Sequence, residues 1–113
     1  MRRLAAIVLT AATLSACQTT APRRDLSDYP EGRAVVDCVI AKARLYAPQP
    51  DSALELGLIG WNACSTEQLA FERALQRQEG PAYANEVTRL MNQSQPQLIA
   101  EFIVDIRAGR RAR

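Results

Sequence analysis

Apolar side chains recur at helical spacing along most of this sequence, and no stretch alternates apolar with polar residues as a half-buried strand does. The pattern therefore predicts an all-α protein, a small bundle of about four helices with one inter-helix disulfide. The helices are predicted over about 32–46, 52–78 with a break near 62–66, 81–92 and 95–107.

The segment 52–64 is expected to lie at the centre of the bundle, because small or apolar side chains face almost every direction around it. A helix that is apolar all round is a buried helix. Its stripes are Leu54, Leu58 and Trp61; Ala53, Gly57, Gly60 and Cys64; and Leu56, Ile59 and Ala63. Trp61 is interpreted as a core residue, and a ligand cleft formed with Asn62 is the alternative.

The helix boundaries are predicted from capping signals. A serine followed three residues later by Glu or Gln matches the capping box, which satisfies the free amides of a helix start. The matches are Ser52 with Glu55, Ser65 with Gln68, and Ser94 with Gln97. Gly80 followed by Pro81 suits the end of one helix and the first turn of the next.

The last predicted helix carries the clearest helical stripe in the chain. The stripe comprises Leu98, Ile99, Phe102, Ile103 and Ile106. Glu101 and Asp105 mark the polar face of this helix. Ile103 is a candidate interaction residue, because any part of the stripe that the core does not cover would form a docking groove or patch.

The N-terminus differs from the rest of the chain. Arg2 and Arg3 precede a mostly apolar run, 4–14, which is too short to span a bilayer and leads into Leu14-Ser15-Ala16-Cys17. This order resembles the signal peptide and lipobox of bacterial lipoproteins, over residues 1–17 only. The resemblance implies that Cys17 receives a diacylglycerol, becomes the first residue after cleavage, and is acylated at its amine with a fatty acid such as palmitate.

The residue after the lipobox cysteine is Gln18 rather than aspartate. Within the resemblance, this residue implies sorting to the outer membrane. The expected location is therefore the periplasmic face of the outer membrane, with the lipid on Cys17 as the membrane contact. A conventional signal peptide with a chance cysteine is the alternative.

The resemblance and the helical pattern together define the expected organisation of the chain. It comprises a lipoprotein signal peptide over 1–16, a lipidated N-terminus and flexible tether over 17–31, a helical domain over 32–107 and a basic tail over 108–113. Without the arginines of the signal peptide, basic and acidic side chains balance. Charge and exported address therefore argue against a nucleic-acid partner.

Cys38 and Cys64 remain once Cys17 is lipidated, and a pair of cysteines in an exported chain is typical of a disulfide. The turn near 47–51 separates two antiparallel helices on which the pair lies at about the same level. Small residues on both helices would let the backbones approach closely. The alternative, a redox or metal pair, lacks both a Cys-x-x-Cys spacing and a histidine.

The chain offers little catalytic chemistry. It has no histidine, so the usual base near neutral pH and every histidine-based nucleophile system are excluded. The nearest carboxylate pairs, Glu67 with Glu72 and Glu101 with Asp105, are interpreted as solvated helix faces. No glycine-rich phosphate loop occurs. The sequence therefore predicts a protein that is not an enzyme and that holds no metal or other cofactor.

These observations favour a small lipid-anchored module that binds another periplasmic or outer-membrane protein as an accessory subunit or inhibitor. One alternative is a structural or envelope-stress lipoprotein that contacts peptidoglycan or lipid through its tail. The tail residues concerned are Arg110, Arg111 and Arg113. Another alternative is a carrier of a small apolar ligand, which requires a cavity between the helices.

Overall fold

The computed structural model describes residues 24–112, and these residues form an all-helical bundle. A short 3-10 helix, η1, spans Leu26–Asp28. The four α-helices are α1, Pro30–Tyr46; α2, Ala53–Asn62; α3, Ser65–Glu79; and α4, Pro81–Arg107. The predicted all-α class is confirmed.

Helix α4, the longest helix, packs against α1, α2 and α3, and most extensively against α2. Its buried residues are Ala84, Met91, Pro96, Ile99, Ile103 and Ile106. The prediction of separate helices over 81–92 and 95–107 was wrong, since the helix continues through both segments. The hydroxyl of Ser94 does not cap a helix start but donates to the carbonyl oxygen of Leu90 at 2.9 Å.

Helix α4 continues through Pro96 despite the energetic cost of proline inside a helix. Proline has no N–H to donate to the carbonyl oxygen four residues earlier, on Asn92, and a proline inside a helix costs about 3 kcal/mol. Pro96 is buried rather than exposed. Its carbonyl group lies against Gly57 of α2. We infer that packing of α4 against α2 offsets the cost.

Helix α2 is not the buried centre that its composition predicted. One face packs on α4 and α1, and its buried residues are Leu56, Gly57, Gly60 and Trp61. Leu54, Leu58 and Ile59 are about half exposed. The apolar content of this segment therefore does not reflect burial on all sides.

The two glycines of α2 have different surroundings. A β-carbon added at Gly57 would overlap the carbonyl oxygen of Pro96 and lie 3.2 Å from the amide nitrogen of Ala100. A β-carbon added at Gly60 would lie 3.5 Å from side-chain atoms of Ile99 and Lys42, an ordinary contact. Gly57 therefore allows the close approach of α2 to α4, and not an approach beside the disulfide.

Gly57→Ala is expected to destabilise the protein by about 1–3 kcal/mol, because the added methyl group forces two backbones apart. Gly60→Ala is the matched control. In that variant the better helix propensity of alanine, worth about 0.5–1 kcal/mol, has no clash to overcome. Urea denaturation with the disulfide intact measures both effects. Equal stability of the two variants would contradict the close approach at Gly57.

Residues 24–31 are not part of a flexible tether, which corrects the predicted boundary at residue 31. Tyr29 is buried, and its ring meets Phe71 edge-on with centroids 5.6 Å apart. Its hydroxyl donates to a carboxylate oxygen of Glu79 at 2.9 Å, and Arg24 pairs with the same carboxylate at 3.3 Å. Helix α1 starts at Pro30, a favourable first-turn position.

The break between α2 and α3 lies where the sequence predicted it, although only one capping signal at these helices is confirmed. The amide of Glu55 donates to the Ser52 hydroxyl at 3.2 Å, as expected for the start of α2. Helix α3 instead has Cys64 as its N-cap residue. The side-chain amide of Gln68 donates to the carbonyl oxygen of Trp61 and so bridges the break.

Arg107, at the end of α4, binds the α1–α2 turn at the end of the bundle opposite Tyr29 and Glu79. Its guanidinium donates to the carbonyl oxygens of Ala47 and Asp51 at 2.9 Å each, and to that of Gln49. The α1–α2 turn is thereby attached to the end of α4. None of the helices described between residues 24 and 112 combines the length and the hydropathy needed to cross a bilayer.

Candidate functional site

One flank of α4 carries large apolar side chains that the bundle leaves about half exposed. They are Tyr83, Leu90 and Leu98, with 43%, 48% and 50% of their surface accessible. Spacings of seven and eight residues place all three on the same side of a helix. This flank differs from the core face of α4, which contains Met91 and Ile99.

Two adjoining depressions run along this flank. The larger, of about 220 Å³, lies between η1, α3 and α4, and the smaller, of about 100 Å³, lies between α1 and α4. Gln95 lines both. We call the two together the α4 groove. From Tyr83 to Phe102 it follows α4 for about 28 Å, at 1.5 Å per residue.

The α4 groove has an apolar lining over most of its length. Its larger part is lined by Arg24, Leu26, Tyr29, Phe71, Leu75, Tyr83, Val87, Leu90, Met91, Ser94 and Gln95. Its smaller part is lined by Val39, Ile40, Ala43, Gln95, Leu98, Ile99 and Phe102. Arginine side chains lie at each end, Arg24 in the lining and Arg111 with its guanidinium carbon 4.3 Å from the ring centre of Phe102.

Tyr29 fixes the wall of the groove at the N-terminal end. Burial raises the pKa of Tyr29, and its hydrogen bond to Glu79 raises it further. Both causes favour the protonated phenol, which donates the hydrogen bond to Glu79. The groove wall is thus attached to the end of α3 through a neutral side chain at physiological pH.

Trp61 is a core residue, as predicted. Its ring is buried, and its indole N–H donates to the side-chain oxygen of Asn92 at 2.9 Å. A surface depression of about 350 Å³ beside it is lined by Trp61, Met91 and Asn92, among others, but not by Asn62. The polar partner of the indole therefore comes from α4, a pairing that no local spacing indicates.

Ile103 does not lie on a docking surface. Its side chain is fully buried, with 0% of its surface accessible, on the core face of α4. The stripe of the last predicted helix does exceed the core, as considered above, but at Leu98 and Phe102 rather than at Ile103. Tyr83 and Leu90, which fall at helical spacing with Val87 and Met91, are about half exposed as well.

The basic tail is folded back onto α4. Arg110 and Arg111 both pair with Asp105, at 2.8 and 3.1 Å. The hydrogen bond from Arg110, followed by the charge of both arginines, holds the pKa of Asp105 below its usual range. Arg113 lies outside the described residues. The carboxylate of Asp105 thus neutralises part of the positive charge through which the tail was predicted to contact peptidoglycan or lipid.

The Cys38–Cys64 disulfide is confirmed. The two sulfurs are 2.08 Å apart, with Cα atoms 6.0 Å apart, and the bond joins α1 to the start of α3. Glu67 offers a carboxylate oxygen within 4.8 Å of both sulfurs. Sulfurs that are bonded to each other are not thiolate ligands, so the oxidised pair with Glu67 does not match a zinc-type donor set.

The carboxylates of the two pairs named in the sequence have other partners or surroundings. Glu101 is exposed, whereas Asp105 is engaged with the tail arginines. A side-chain oxygen of Glu72 accepts from Gln76 at 3.4 Å, and Glu67 lies beside the disulfide. Cys17 lies outside the described residues, so its lipidation stays a prediction from the sequence.

No protein-family model, curated protein or solved structure matches the chain.

Proposed function

We propose that this protein is a non-catalytic binding module of the bacterial cell envelope, held by lipid at Cys17, whose α4 groove receives an apolar segment of another envelope protein. The observation that carries the proposal is the groove itself. Tyr83, Leu90 and Leu98 expose large apolar surfaces on one side of α4, beside two adjoining depressions that together follow the helix for about 28 Å. Exposed apolar surface of this extent is typical of interaction sites.

The shape of the groove suits an amphipathic helix or an extended peptide with regularly spaced apolar residues. An amphipathic helix inserts apolar side chains at every third or fourth residue into such a groove, and an extended peptide inserts every second side chain. Polar groups along the rim, such as Ser94 and Gln95, supply hydrogen-bond partners for the ligand. A small molecule would cover a much smaller part of the α4 groove than a helix or a peptide would.

The available chemistry supports binding rather than catalysis. The chain has no histidine, and Cys38 and Cys64 are consumed in the disulfide. The lining of the α4 groove contains one charged residue, Arg24, and this arginine is paired with Glu79. The groove therefore offers an apolar surface with hydrogen-bonding groups. The hydroxyl in its wall that lies beside a carboxylate, that of Tyr29 next to Glu79, has a raised pKa, which is the opposite of an activated nucleophile.

The two ends of the bundle support docking over contact of the tail with the anchoring membrane. Arg24, seven residues after Cys17, lies beside Glu79 at one end. The tail follows Arg107, which is bound to the α1–α2 turn at the other end. Helix α1, which runs from one end to the other, is about 25 Å long. The proposed anchor and the basic tail thus leave the fold at opposite ends, with the groove between them.

Replacing Leu90 and Leu98 together by glutamate is expected to reduce capture of the partner at least about tenfold while leaving the monomer folded, because both side chains are already half in water. The measurement is in-cell photocrosslinking from a probe at Gln95, followed by mass spectrometry. Circular dichroism and thermal unfolding verify the fold of the variant.

The matched control replaces Leu54 and Leu58 of α2 by glutamate, since they are equally exposed and α2 contributes nothing to the groove lining. Capture should remain at the wild-type level in this control. Equal capture by both double variants, or crosslinks to lipid and murein alone, would contradict the proposal. In that case the structural lipoprotein hypothesis based on Arg110, Arg111 and Arg113 becomes the better explanation.

A further inference from the structure

We propose that Glu67 protects the Cys38–Cys64 disulfide electrostatically, by repelling the thiolates that would reduce it. A carboxylate oxygen of Glu67 and the two sulfurs all lie within 4.8 Å of one another. Cys64 is the N-cap residue of α3, so the first turn of this helix places Glu67 over the bond.

Without such a carboxylate, the position of Cys64 would favour reduction. The N-terminus of a helix carries partial positive charge, which stabilises a thiolate there and makes it a better leaving group. Cys64 occupies this position in α3. The negative charge of Glu67, in the same turn, opposes the helix end and disfavours a thiolate on Cys64.

Access to the two sulfurs determines the direction of attack. Cys64 has 0% of its surface accessible, whereas Cys38 is partly exposed. A small thiolate reductant therefore attacks Sγ of Cys38. A bond forms between the reductant sulfur and Cys38, the Cys38–Cys64 bond breaks, and Cys64 leaves as a thiolate that takes a proton from water.

A second reductant thiolate completes the reaction. It attacks the reductant sulfur of the mixed disulfide, releases Cys38 as a thiolate, and leaves as the oxidised reductant. Two electrons thus pass from two reductant thiols to the protein. In the first step both the incoming thiolate and the leaving thiolate of Cys64 lie near the Glu67 carboxylate, so like charges oppose each other at the transition state.

Helix α1 has two charged residues within one helical turn of Cys38 in the sequence. Asp37 precedes Cys38, and Lys42 follows it by one helical turn, beside Gly60. These two carry opposite charges. Among the described residues, Glu67 is the one whose carboxylate oxygen lies within 4.8 Å of both sulfurs.

Glu67→Gln tests the proposal in the purified, oxidised protein. The second-order rate of thiol release is measured with glutathione, which carries net negative charge, and with cysteamine, whose amine cancels the thiolate charge. The ratio of the glutathione rate to the cysteamine rate is expected to rise about fourfold or more in the variant. This is the change in rate that one unit charge causes in water at 4.8 Å, the upper limit on the distance between the Glu67 carboxylate oxygen and each sulfur.

Comparing two reductants separates electrostatics from stability, because a merely destabilised variant would react faster with both thiols and leave their ratio unchanged. Glu72→Gln, in the same helix but outside the group formed with the sulfurs, should leave the ratio at the wild-type value. An unchanged ratio in Glu67→Gln would overturn the proposal. So would rates that do not depend on thiol concentration, since the bond would then open only through unfolding.

Discussion

Ile103→Asp is expected to unfold the domain. The side chain of Ile103 is fully buried on the core face of α4, the helix that packs against α1, α2 and α3. Aspartate there would lose the apolar contacts and bury a carboxyl group without a partner, which together cost several kcal/mol. A domain of this size has about 5–15 kcal/mol of stability in total. Circular dichroism and thermal melts should therefore show no cooperative transition.

Val104→Asp is the matched control, since it makes the same chemical change one residue further along the same helix. Val104 has 45% of its surface accessible, and substitutions at such positions usually change stability by less than about 0.5 kcal/mol. A folded Ile103→Asp with a melting temperature near that of the wild type would contradict the core position. It would also restore the interpretation of Ile103 as an interaction residue.

Loss of the disulfide is expected to be the second large effect. The cysteines are separated by 26 residues, and closing a loop of that length in the unfolded chain corresponds to about 3.5 kcal/mol in the loop-entropy model. For a domain of under 100 residues, this lowers the melting temperature by about 15–25 °C. Replacing Cys38 and Cys64 together by alanine should show the loss in both thermal and urea unfolding.

Reduced wild-type protein provides the comparison for this variant. It lacks the same cross-link but keeps both sulfur atoms, so its stability should lie within about 1 kcal/mol of the double alanine variant. If the oxidised protein and the double alanine variant unfolded at the same urea concentration, the disulfide would contribute nothing to stability. The constraint on α1 and the start of α3 would then have to come from packing alone.

The all-α class, the break near Cys64 and the disulfide were predictable because their signals are local or nearly so. The helical stripes and the Ser52 cap involve residues within a few positions of each other. The disulfide followed from two cysteines at similar levels on consecutive antiparallel helices. Such features depend on periodicity and capping, which a single sequence contains.

The continuity of α4 was not predictable from the same signals. Ser94 and Pro96 match a helix start. Local interactions alone would make a new helix beginning there more stable than a helix that continues through Pro96. Packing against Gly57, nearly forty residues earlier, reverses the preference. The burial of Tyr29 was not predicted for a related reason. Its partners Phe71 and Glu79 lie more than forty residues later in the sequence, on α3.

The candidate site was predictable only in outline. The spacing of Leu98, Ile103 and Phe102 shows that they lie near one another on a helix, but not which part of the helix neighbouring elements cover. The structure assigns Ile103 to the core and leaves Leu98 beside the groove. Burial is a property of the assembled bundle, and a stripe wider than its contact surface looks the same in sequence as a fully covered one.

Trp61 gives the protein its own optical probe. It is the only tryptophan in the chain, its indole is hydrogen-bonded to Asn92 across the α2–α4 contact, and it lies one turn before Cys64. Selective excitation of tryptophan in unlabelled protein therefore reports on a single place in the fold. Emission at short wavelength corresponds to a closed α2–α4 contact, and a red shift records its opening to water. Because Trp61 is absent from the lining of the α4 groove, separation of the helices can be followed independently of events there.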